Sequence, residues 1–81
     1  MTPNETVRAI RMERGETLRQ FGVVVGLDHT VLSRIENGLR ISADMAIKLA
    51  RATGHPLVEF YPEAAGLVVE AGRARTLRDA G

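Results

Sequence analysis

Residues 18–38, LRQFGVVVGLDHTVLSRIENG, carry glycines at 22 and 26 between two apolar runs, and nothing else in the chain restricts its folding as much. Val23-Val24-Val25 is β-branched and has strand propensity. The flanking residues point elsewhere. Thr17 followed by Gln20 forms a capping box that opens a helix at residue 18. Asp28 is an N-cap residue, and Val31, Leu32 and Ile35 follow it at helical spacing. Gly26 can adopt the left-handed conformation that ends a helix.

Two apolar helices joined by two or three residues have few ways to pack. A helix-turn-helix needs a small residue where the backbones approach and a glycine in the turn. Gly22 sits at the close approach and Gly26 at the turn. Phe21 and Val25 lie one turn apart on the inner face of the first helix, Leu27 plugs the turn, and Leu32 and Ile35 supply the inner face of the second. The valines therefore read as helix. Val25 points inward, and Val23 and Val24 point outward.

The rest of the chain continues the helical pattern. Thr2-Pro3-Asn4-Glu5 is another capping box with Pro at the first helical position, and Val7 and Ile10 follow on the buried side before Gly15. Ser42 caps a helix carrying Met45, Ala46 and Leu49, which Gly54 stops. Pro56 and Pro62 bracket a short element with Leu57, Phe60 and Tyr61. The expectation is an all-α fold with five short helices, at about 3–14, 18–25, 28–37, 43–53 and 56–61. Together they form one domain over 1–62. A C-terminal extension follows over 63–81, either a dimerisation element or a tail. Its Leu67-Val68-Val69 run reads as a short strand or as part of a helix, and Arg73, Arg75 and Arg78 as a solvated cluster or a DNA-backbone contact.

Composition narrows the functional classes. Eighty-one residues suffice for one small core. The only aromatic residues are Phe21, Phe60 and Tyr61, so that core must be aliphatic. Without cysteine there are no disulfides or thiolate metal sites, and a reduced cytoplasmic setting is the simplest expectation. No apolar run is long enough to span a membrane, and no charged-then-apolar leader suggests export. The net charge is only +1, so any nucleic-acid binding depends on where the charges sit. All basic residues except Lys48 are arginine, whose planar fork suits phosphates and guanine edges.

The segment Arg11–Gly38, with RGETLRQFGVVVGLDHTVLSRIENG and above all SRIENG, resembles the helix-turn-helix of the phage Cro and cI repressors, the XRE-type regulators. The following ISADMAIKLARATGHPLVEFY resembles that family's fourth and fifth helices, so the likeness covers about residues 4–62. It implies a lambda-repressor-like DNA-binding domain whose third helix enters the major groove of double-stranded DNA. It also implies base contacts from His29, Thr30, Ser33 and Arg34, and phosphate contacts from Thr17, Arg19, Asn37 and Arg40. Arg11 and Glu36 match the family's structural ion pair between the first helix and the end of the third.

Three departures qualify the resemblance. Leu18 stands where the family usually has Gln, Asp28 brings a carboxylate toward the DNA backbone, and Val23 and Val24 stand where Glu or Lys is usual. Adjacent exposed valines suggest a covered surface. Leu67, Val68 and Val69, from the same chain or a second copy, are candidates to cover it.

Other chemistry finds little support. His29 and His55 lie on different elements with no metal-ligand cluster, Ser33 has no base beside it, and no catalytic residue or cofactor is expected. The expected function is a sequence-specific, repressor-like regulator acting as a homodimer on an operator with dyad symmetry. The alternative is a protein-interaction module on the same scaffold, such as the antitoxin of a toxin–antitoxin pair.

Overall fold

A computed structural model describes residues 1–66. Among the described residues, α-helices span Pro3–Glu13 (α1), Leu18–Val25 (α2), His29–Glu36 (α3) and Ala43–Thr53 (α4), a single 3₁₀ turn follows at Leu57–Glu59, and residues 64–66 are again helical. No strand occurs among the described residues. Leu67, Val68 and Val69 and the arginines at 73, 75 and 78 lie outside them.

Local chemistry sets each boundary. Thr2 and Thr17 form reciprocal capping boxes with Glu5 and Gln20, which satisfies amides that the first turns of α1 and α2 leave unpaired. Asp28 and Ser42 cap α3 and α4. Gly26 and Gly54 end α2 and α4 at φ +85° and +76°, a region that L side chains adopt only with strain.

The fifth element, expected as a short turn or helix over 56–61, is the 3₁₀ turn. Pro56 has no N–H to donate, and Pro62 disfavours helical backbone at Tyr61. The few residues between them cannot offset the cost of nucleating an α-helix.

The core gathers Val7 and Ile10 from α1, Phe21 and Val25 from α2, Leu32 and Ile35 from α3, and Ala46 and Leu49 from α4. Ile41 and Phe60 complete it. The core is not purely aliphatic as the scarcity of aromatic residues implied, because two of the three, Phe21 and Phe60, are its largest fully enclosed side chains. Burying each such side chain contributes roughly 1.5–3 kcal/mol. Glu63 and Ala64, the first residues of the expected extension, rest on this fold: Ala64 is buried, and Glu63 lies within ion-pair distance of Arg40.

Candidate nucleic-acid interface

The angle between α2 and α3 is set at Gly22. A Cβ there would stand 2.6 Å from the Leu27 carbonyl oxygen, closer than a carbon and an oxygen can approach. The Gly22 carbonyl accepts from the N–H of Gly26 (2.7 Å) and of Leu27 (3.0 Å), so the turn is closed by backbone alone. With Leu32 and Ile35 fully buried, the opposite face of α3 is turned outward. Thr30 and Arg34 are exposed one turn apart, and His29 and Ser33 are half-buried one turn apart beside them. All four expected base-contact residues thus share one face.

Their hydrogen-bonding capacities differ. Thr30 gives both its N–H (2.8 Å) and its hydroxyl proton (2.5 Å) to Asp28 Oδ1. The Thr30 oxygen is left as an acceptor, next to its methyl group. These bonds, the hydroxyl first and then the backbone N–H, hold the Asp28 carboxyl below its ordinary value. His29 Nδ1 lies 3.6 Å from the same carboxylate oxygen.

Arginine pairing separates structural from available cations. Among the described residues, Arg11 pairs with Glu36, Arg14 with Glu16 and Arg40 with Glu63. Arg34 on α3 and Arg19 on α2 have no such partner there, and both are exposed.

The expected phosphate contacts lie at the ends of α2 and α3. Thr17 Oγ1 accepts from the Gln20 N–H at 3.1 Å, which leaves its own O–H free to donate. Asn37 ends α3 and donates from Nδ2 to the Ser33 carbonyl at 2.7 Å. Arg40 is 83% exposed, with Nη2 at 3.5 Å from Glu63 Oε1, a loose surface pair that a stronger anion can displace.

Arg11 and Glu36 meet as the resemblance implied. Arg11 Nε lies 2.7 Å from Glu36 Oε2 and Nη2 lies 2.9 Å from Oε1, a bidentate fork, while Nη1 donates to the Glu16 carbonyl at 3.0 Å. The Glu36 carboxylate is 8% exposed, and its hydrogen bonds raise the Arg11 guanidinium still further above its ordinary value.

Asn4 was missed. The sequence gives it no role beyond a place in the first capping box. In the structure its Nδ2 donates to the carbonyls of Ile35 and Leu39, both at 2.7 Å, and so ties the start of α1 to the end of α3 and the loop after it. No local signal announces these partners, which lie 31 and 35 residues away.

Val23 is 84% exposed and Val24 42%. Val23 borders an open groove of about 310 Å³ between α2 and the start of α3, lined also by Arg19, Leu27 and His29. Elsewhere, His55 is paired with Glu59 at 2.7 Å, and the described residues contain no group of three His, Cys, Asp or Glu side chains able to hold a metal. No helix among them is long and apolar enough to cross a membrane.

With this geometry in view, comparison with protein families is decisive: the family model for the helix-turn-helix matches residues 7–60, more than half of the chain. The chain belongs to the XRE-type, Cro/cI-like helix-turn-helix family. It is a DNA-binding helix-turn-helix regulator, from a family that is not typically enzymatic. Comparison with curated proteins and with solved structures gives no match. Within this helix-turn-helix, one departure from the family pattern has a packing reason. Leu18, in place of the usual Gln, is partly buried against the core.

Proposed function

We propose that this regulator acts as a sequence-specific repressor, reading an operator with α3 as a homodimer. The observation that carries the reading is the outward face of α3, where Arg34 is exposed and without an ion-pair partner among the described residues, while the other face packs into the core. A bidentate Arg–guanine contact gives roughly 1–3 kcal/mol of discrimination. Thr30, with its hydroxyl proton committed to Asp28, accepts from the amino group of adenine or cytosine and offers its methyl to thymine. His29 and Ser33 read beside them, and Thr17, Arg19, Asn37 and Arg40 hold the phosphates on either side. The working setting is the cytoplasm.

A homodimer fits the charge balance. One domain with a net charge of +1 draws little affinity from non-specific attraction, and two tethered reading helices gain by avidity. Half-sites then lie about 34 Å apart, one turn of DNA. The exposed Val23 and Val24 are the surface we assign to the second copy.

The test is selection of bound duplexes from a random pool at stated salt. An enriched inverted repeat with that spacing supports the proposal, and a pool that stays random overturns it. The same exposed valines favour a second reading, an antitoxin-like module whose Val23–Val24 surface binds a different protein. Co-purification of a stoichiometric partner, lost on Val23→Glu, would mark that reading.

A further inference from the structure

The loop between α3 and α4 is anchored from two sides. From within, Gly38 N–H donates to the Ile35 carbonyl at 3.0 Å and Leu39 N–H to the Arg34 carbonyl at 2.8 Å. From without, the two Asn4 bonds reach the Ile35 and Leu39 carbonyls. The second of these bears on Arg40. No peptide bond among the described residues is cis, so the Leu39–Arg40 unit is a flat trans peptide whose C=O and N–H point in opposite directions. With its carbonyl turned toward Asn4, the unit turns the Arg40 N–H away from α1. Among the described residues this N–H has no intramolecular hydrogen-bond partner, and the Arg40 side chain beside it is the most exposed of the paired arginines.

Resting on the DNA-binding reading above, we propose that Asn4 is a positioning residue for the phosphate backbone. Its amide fixes the Leu39–Arg40 peptide so that the unpartnered Arg40 N–H stays turned outward, where it can donate to a phosphate. Asn4 does not touch the DNA. It acts by preventing rotation of one peptide plane, which would point a carbonyl oxygen at the anion in place of the N–H. Only a side chain with two hydrogens on one terminal nitrogen can bridge both carbonyls at this distance, and Asn4 uses both. Asp at this position would offer acceptors to acceptors.

The test uses the full chain labelled with ¹⁵N and a 30-base-pair duplex of mixed sequence, since phosphate contacts do not depend on the operator. In the wild type, adding duplex at low salt should move the Arg40 amide proton strongly downfield, as a new charge-assisted bond forms. In Asn4→Ala the same signal should stay near its free position, and affinity should fall about tenfold. Asn4→Ser, with a single donor, should fall between. The shift is read on folded-state signals at low temperature, so a loss of stability does not imitate the effect. If the Arg40 amide moves as far in Asn4→Ala as in the wild type, Asn4 has no positioning role, although the DNA-binding reading stands. If the wild type does not bind the duplex at all, the DNA-binding reading fails and takes this one with it.

Discussion

Arg11 and Glu36 close on each other through two parallel hydrogen bonds, so the first helix is fastened to the end of the third by a fork that leaves little of either charge in water. Removing one partner strands the other. Arg11→Met or Glu36→Leu alone should cost about 3–5 kcal/mol, whereas the double replacement should lie close to the wild type. Urea unfolding of the three variants checks this. Equal and additive losses would show that the pair is not coupled.

Gly22→Ala tests the close approach of α2 and α3. Helix propensity alone favours alanine by about 1 kcal/mol. The Cβ would meet the Leu27 carbonyl, a backbone atom fixed by the turn, and overpacking of that kind costs roughly 1–3 kcal/mol. The expected net result is a loss of stability with weaker DNA binding, because α3 is pushed away from α2. Thermal unfolding and duplex titration read the two effects separately.

Asp28 makes part of the stability depend on acid. Its carboxyl is held below the ordinary 3.8 by the hydroxyl and N–H of Thr30. A lowered carboxyl contributes stability that is fully present above the unfolded value and is lost as pH falls through the folded one. Unfolding midpoints of the wild type and Asp28→Asn should therefore differ near neutrality and converge in strong acid. Asn retains cap geometry, so a difference that persisted at the lowest pH would assign it to something other than this charge.

The sequence made these features legible to different degrees, and the reason is distance along the chain. Capping boxes at Thr2 and Thr17, and the glycine turn at 26, are decided within four residues, and each reads directly. The strand propensity of Val23-Val24-Val25 loses because Gln20 and Gly26 fix helix ends on either side. Pro56 and Pro62 announce a short fifth turn or helix, and the few residues between them leave room for a single 3₁₀ turn. Asn4 and Ile41 were not legible. Both act through contacts made only once α1, α3 and the following loop are together. The outward face of α3 is legible because Leu32 and Ile35, at helical spacing, mark the buried side opposite it.

Arg40 and Glu63 predict opposing effects on phosphate binding. Arg40→Ala should weaken binding to every duplex and lower the salt dependence by about 0.9 in log–log slope, the share of one phosphate. Glu63→Gln removes the acid that competes for Arg40 and should tighten binding modestly at low salt, with the gain fading as screening increases. Titrations over a range of salt concentrations check both.

The claim that α3 reads base sequence is tested most directly by repeating the random-pool selection with Arg34→Ala beside the wild type. The wild type should enrich an inverted repeat containing a guanine in each half-site. Arg34→Ala should lose preference at that guanine while keeping the other positions, with affinity for the wild-type site reduced by about 1–3 kcal/mol. An identical enriched sequence from both proteins would contradict the assignment of Arg34, and the absence of any enriched sequence would contradict base reading by α3 altogether.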